Sequence, residues 1–321
     1  MLNNTDSDHD LPSTADRNVE LGFNIAYLVL GVGGNSLVIA VMSSNKHKRS
    51  IPRLFVLNLA VSDIGFIAAT LPINIYSHFK AIRQDLHYCR LLIPLSTGFY
   101  FLSIFTIASM AIYRCWLITK PFRPKMRMRS AYIWITTIWF SSLIIVLPLS
   151  VVSQTNNGIC YENWPSINHR KAYTISLFML QFVIPLLIIG VAYVRIGIYL
   201  WRSTVPQSSL PAHKRRRENI QVIKTLAIIV ILFAICLLPG QIAWLLLDFG
   251  GKQELQIATV IFKFAQILDP LHACINPIIY GLSNEQFRKE CMELFVDCFT
   301  RDPKQIKPQR PGQVSTIEAS L

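Results

Sequence analysis

The chain has 321 residues, 52% hydrophobic and only 15% charged, with a formal net charge of +13. Soluble domains carry about 25% charged residues, so the composition excludes an ordinary soluble fold and points to lipid as the solvent. The basic residues flank the ends of apolar runs instead of forming one stripe, which excludes nucleic acid as the partner the charge implies.

Residues 1–18 are polar, with Asp6, Asp8, Asp10 and Asp16 against Arg17, and read as a disordered extracellular tail. Asn3 opens the sequon Asn3-Asn4-Thr5, a candidate glycosylation site. The tail lacks the apolar stretch of a cleavable signal, so the first apolar run is expected to direct its own insertion. Seven apolar runs follow, at 19–43, 54–78, 86–119, 131–152, 172–201, 219–249 and 255–281. A bilayer core about 30 Å thick needs about 20 apolar residues per helix. Backbone groups in lipid must be satisfied within the segment, so these runs are helices.

Basic clusters fall at Lys46, Lys48, Arg49 and Arg53, at Lys120 to Arg129, and at Arg202 to Arg217. The positive-inside rule places those loops in the cytoplasm, beside anionic lipid heads. The amino terminus is then extracellular and the carboxyl terminus cytoplasmic, in a multi-pass plasma-membrane protein. After the seventh run, Phe287, Cys291, Leu294 and Phe295 recur at helical spacing over 282–298, an amphipathic helix on the inner leaflet. Cys298 is a candidate palmitoylation site, and 299–321 reads as a disordered cytoplasmic tail. The fold class is an all-α membrane protein, a seven-transmembrane bundle over 19–281 with a short eighth helix. Cys89 opens the third run and Cys160 lies in the loop after the fourth. Two thiols on the oxidising side point to a disulfide tying that loop to the third helix.

The order of landmarks resembles the rhodopsin-like G-protein-coupled receptors over residues 19–298. They are Gly34-Asn35, Leu59-Ala60-Val61-Ser62-Asp63, Cys89 with Arg114, Trp139 and Pro148, and Pro185 with Tyr193. Phe233, Cys236 and Pro239 follow, and then Asn276-Pro277-Ile278-Ile279-Tyr280. The resemblance implies a heterotrimeric G protein as intracellular partner, with arrestin as another, and no catalytic residues or cofactor. It gathers Asp63 with Asn35, Ser103 and Asn276, around either a sodium ion or a water-bridged polar cluster; beyond that sodium no metal is expected. His272 stands where the family often has Asn. Pro185, Pro239 and Pro277 each remove a helix hydrogen bond, and the resemblance makes them hinges as well as kinks. Tyr193, Phe233 and Tyr280 join Arg114 among the activation residues.

Several departures matter. Tyr113-Arg114-Cys115 stands where the family has an acid, then Arg, then Tyr. Asn219 replaces a common Glu, and Leu237 a common Trp, leaving Phe233 to carry that packing. Both usual ionic restraints on Arg114 are then absent. Pro270 occupies the retinal-lysine position and Ser96 the acidic position of amine receptors, so both ligand classes are disfavoured. Glu162-Asn163-Trp164-Pro165 and the start of the fifth helix are similar to neuropeptide receptors, which implies an extracellular peptide ligand.

Asp248 resembles the acid of receptors for peptides ending in Arg and an amidated aromatic residue, and suits a guanidinium fork. Helical spacing places Gln266, Asp269, Ala273, Asn276 and Tyr280 on one face of the seventh helix. Asp269, an intramembrane acid, is a site hypothesis by default; it meets a ligand cation or pairs with His272. Ser96, Tyr100, Gln181, Gln241, Trp244, Glu162 and Trp164 complete the expected pocket. A receptor for a melatonin-like small molecule is the alternative. A transporter is a weaker one, because no internal repeat is visible.

Overall fold

The computed structural model describes residues 14–44, 50–80, 83–124, 126–202 and 210–300, with 14–16, 210–219, 222, 283 and 297–300 described by backbone alone. Asn3 and the tail beyond Thr300 lie outside the described residues, as do the side chains of Asn219 and Cys298.

Among the described residues, seven helices are long and apolar enough to cross a membrane. In chain order α1 is Thr14–Ser43, α2 Ile51–Phe79, α3 Tyr88–Thr119, α4 Met128–Val152, α5 Ile167–Arg202, α6 Leu210–Phe249 and α7 Lys252–Leu282. A short helix α8, Glu285–Thr300, follows. Helix α6 begins nine residues before the expected start. Hydropathy sees only its apolar part, whereas Lys214 to Glu218 are good helix formers in water. At about 1.5 Å per residue its 40 residues reach about 60 Å, twice the bilayer core. Helix α5 also starts early, because the Ser166 hydroxyl accepts from the His169 backbone N–H and caps it.

Proline shapes three helices locally. Pro94 and Pro185 cannot donate to the carbonyls of Arg90 and Gln181. Each of those residues sits in a π-helical turn, at Tyr88–Leu92 and Met179–Val183. In α7, Pro270 breaks the helix into Lys252–Leu268 and Leu271–Ser283.

Helix α3 is central and packs on α2, α4, α5 and α6, while α1 packs on α2 and α7. Close approaches rest on glycine. A Cβ at Gly65 would lie 2.3 Å from the Phe99 ring of α3, and one at Gly34 would lie 2.9 Å from Pro277 of α7. Between α4 and α5 runs a hairpin of β1, Ser153–Asn156, and β2, Ile159–Glu162. Its turn residues Asn157 and Gly158 both have positive φ, 52° and 82°, as a tight two-residue hairpin requires. Cys160 of β2 is disulfide-bonded to Cys89 of α3, with Cα atoms 5.6 Å apart. The hairpin marks one end of the bundle, here the disulfide end; the basic loops mark the other.

Helix α8 lies across the basic end. Phe287 is buried against Tyr280 of α7, with ring centroids 6.1 Å apart. Cys291 and Leu294 pack on the same core, whereas Phe295, expected on that face, is 52% exposed. The helix is also held by charge. Arg53 of α2 donates to both Glu290 oxygens at 2.9 and 2.8 Å, and to the Val41 carbonyl at 2.7 Å. Removing Glu290 leaves a mostly buried guanidinium, a loss of about 2 kcal/mol. Glu290→Ala is therefore expected to lower the unfolding temperature and speed maleimide labelling of Cys291. An unchanged labelling rate would show that apolar contacts alone hold α8.

Candidate functional site

A cavity of about 220 Å³ lies among α3, α5, α6 and α7 at the disulfide end. Ser96 and Tyr100 of α3, Glu162 of β2, Gln181 of α5, Gln241, Trp244 and Asp248 of α6, and Asp269 of α7 all line it. These are eight of the ten residues expected to form a ligand pocket. The π-helical turn at Met179–Val183 carries Gln181, which accepts from Gln241 Nε2 at 2.8 Å and links α5 to α6. Trp164 is not on the wall. Its indole N–H donates to Glu162 at 2.6 Å and its ring lies 5.0 Å from Tyr173, so it aims the Glu162 carboxylate.

Gln266 is exposed and also off the wall. It shares one helical turn with Asp269, whose N–H bonds the Ala265 carbonyl at 2.8 Å. Ala265 and Asp269, four apart, both face Gly240 of α6, and Gln266 is turned about 100° from Ala265 around the helix.

Asp248 is buried and already partnered. Arg170 Nη2 lies 2.7 Å from Asp248 Oδ1, an ionic contact without hydrogen-bond alignment. Thr174 Oγ1 donates to the other oxygen. Both partners come from α5, so the acid expected to grip a ligand guanidinium holds one from its own chain.

Asp269 does not pair with His272 through its carboxylate. The His272 ring nitrogen Nδ1 meets the Asp269 backbone carbonyl. That carbonyl is orphaned by the break, because the Ala273 N–H turns to the Pro270 carbonyl at 3.2 Å. The His272 ring lies 4.9 Å from Phe66, 5.2 Å from Tyr100 and 5.5 Å from Phe233, an aromatic cluster under the cavity. Leu237, in the position of the family's Trp, is buried there and lines the floor.

Deeper in the bundle Asp63 is fully buried. It accepts from Ser103 Oγ at 2.8 Å and from Asn276 Nδ2 at 2.7 Å. Asn35 does not join it; its amide donates to Gly31 and Ala273 carbonyls at 2.9 and 2.8 Å, tying α1 to α7. His272 also turns away. Only the Asn35 nitrogen is committed to those carbonyls; its Oδ1 is buried without a hydrogen-bond partner among the described residues. A second polar link escaped the sequence reading. Asn58 of α2 donates to Thr106 at 2.7 Å and accepts from Trp139 at 2.9 Å, joining α2, α3 and α4. An amide inside an apolar run is the sequence signal for such a link.

At the basic end Tyr113 is buried between the rings of Phe55 and Trp116, 6.1 and 6.2 Å away. Among the described residues no carboxylate lies within ion-pair distance of Arg114. The hydroxyls of Tyr193 and Tyr280 are buried without hydrogen-bond partners among the described residues. The three proline positions at Pro185, Pro239 and Pro277 all lie within spanning helices.

Residues 34–280 match the family described as 7 transmembrane receptor (rhodopsin family). Among curated relatives, neuropeptide FF receptor 1 of Rattus norvegicus is 30% identical over 322 residues, covering 90% of this chain and 74% of the relative. Galanin receptor 2a of Danio rerio is 30% identical over 313 residues, covering 94% and 85% respectively. The substance-P receptor of Aquarana catesbeiana is 30% identical over 296 residues, covering 86% and 71%. Seven spanning helices, the pinned hairpin and these likenesses agree: the chain belongs to the rhodopsin family of seven-transmembrane receptors, multi-pass plasma-membrane proteins that are receptors and not enzymes.

Proposed function

We propose that this protein is a receptor for an extracellular peptide that signals through a heterotrimeric G protein. The observation that carries the reading is the cavity under the disulfide-pinned hairpin, walled by Glu162, Gln181, Gln241 and Trp244 and floored by aromatic rings. Relatives named as receptors for neuropeptide FF, galanin and substance P support a peptide over a small molecule. The disulfide end then faces outward and the basic end faces the cytoplasm, with arrestin and anionic lipid as further contacts there. The ligand is expected to carry a basic residue beside an amidated aromatic one. The polar links between α5 and α6 lie around the cavity, so a ligand that alters them shifts a two-state bundle. The test is peptide-dependent nucleotide exchange on a purified G protein, driven by a library of short amidated peptides. A receptor silent to the library yet active with an indole amide would favour the small-molecule alternative.

The Asp63 cluster is a polar link between α2, α3 and α7 that rearranges during activation. Arg114 without an acidic restraint implies basal exchange. Tyr113→Asp combined with Asn219→Glu is expected to lower it several-fold, the effect of about 1 kcal/mol on a two-state population. Wild-type receptor with no ligand-independent exchange at matched expression refutes this.

A further inference from the structure

We propose that Asp269, at the cavity floor, is the subsite for a ligand cation, a guanidinium or ammonium group that passes the mouth and pairs there. This rests on the peptide-receptor reading and adds the ligand chemistry of its deepest contact. Four acids border the cavity or the bundle interior, and three are occupied. Glu162 accepts from Trp164, Asp248 holds Arg170 and Thr174, and Asp63 holds Ser103 and Asn276. The Asp269 carboxylate has no hydrogen-bond or ion-pair partner among the described residues, although it lies within a spanning helix. His272, the nearby candidate, is spent on the backbone carbonyl.

An acid at membrane depth is costly unless it meets a partner or a polar cavity. Here the side chain faces the cavity. On its other side stands Gly240 of α6, where a Cβ would lie 3.5 and 3.6 Å from the two carboxylate oxygens. The absent side chain at Gly240 leaves the carboxylate uncovered, with Tyr100 and Gln241 on the adjoining wall. A cation arriving there supplies the partner the fold omits, and the aromatic floor favours it further through ring quadrupoles. Asp248, neutralised by Arg170 at the mouth, offers no comparable vacancy of charge.

The test uses purified full-length receptor and a defined probe, N-acetyl-arginyl-phenylalanine amide, with its citrulline counterpart as the uncharged isostere. The arginyl probe is expected to raise the unfolding temperature of wild type by at least about 2 °C at saturation. The citrulline probe should give less than half of that. In Asp269→Asn the difference between the probes should vanish; in the Arg170→Gln, Asp248→Asn double variant it should persist. Equal shifts by both probes on wild type overturn the proposal without any variant, so a folding failure of Asp269→Asn cannot rescue it. A difference that survives in Asp269→Asn, or is lost only in the double variant, places the cation at the mouth and also overturns it. Peptide-driven nucleotide exchange is read separately, so failure of the receptor reading and of this subsite are distinguishable.

Discussion

Replacing Cys89 or Cys160 with Ser is expected to abolish peptide-dependent signalling and to cost the folded receptor about 4 kcal/mol. The bridge spans a sequence separation of 71 residues, and loop-closure entropy for a loop of that length gives a value of this size. Hydrogen bonds also hold the hairpin: the Thr155 hydroxyl donates to the Gln84 carbonyl at 2.7 Å and Arg90 Nε to the Ser153 carbonyl at 3.0 Å. Gln84 accepts at its side-chain oxygen from the Cys160 backbone N–H at 2.8 Å, and donates its own backbone N–H to the Gly158 carbonyl at 2.9 Å. Each such bond gives about 0.5–1.5 kcal/mol, so only all of them together are comparable to the covalent link. Without it the hairpin that carries Glu162 is held at the cavity by hydrogen bonds that water can compete for. The check is surface expression and thermal unfolding of each single variant and of the double variant. The double variant should match either single one, because both lose the same bond. Additive losses would mean that each cysteine acts on its own.

The second large effect is asymmetric. Arg170→Ala is expected to lower stability by about 3 kcal/mol, whereas Asp248→Ala should cost less than about 1 kcal/mol. The two side chains share one ion pair but not one environment: Asp248 is 2% exposed and Arg170 33%. Deleting Arg170 strands a buried carboxylate with Thr174 as its remaining partner. Deleting Asp248 lets the arginine turn to water. Thermal unfolding of the two variants measures the difference. Agonist potency gives a second reading, because an acid that gripped the ligand would lose more than tenfold in Asp248→Ala. Equal stability losses would show that both ends of the pair are desolvated alike.

Arg170 shows why part of the site could not be read along the chain. Its pairing with Asp248 joins positions 78 residues apart, 248 minus 170, on neighbouring helices. Nothing in the local run of His169, Arg170 and Lys171 distinguishes a partner for a buried acid from a solvated helix start. The Arg53–Glu290 pair that docks α8 is equally remote in sequence. Gln266 failed for a different reason. Its spacing from Asp269 fits one broad helical face, and packing against α6 turned Ala265 inward with Asp269 and left Gln266 outside.

The sequence by itself determined the solvent, the seven spans and the cysteine pair. Those follow from lengths of apolar sequence, from charge at their ends and from which side of the membrane oxidises thiols. It also named the residues of the family's polar and activation positions, because their order along the chain is itself the signal. Only the tertiary structure decided which acid has a partner. Asp63, Glu162, Asp248 and Asp269 are the same kind of residue on the page. Three are satisfied by groups that packing brings to them, and the fourth faces a cavity. Whether a buried charge is already paired depends on distances across helices of a few ångströms, and the energy of a charge in low dielectric depends on those distances more than on its own identity.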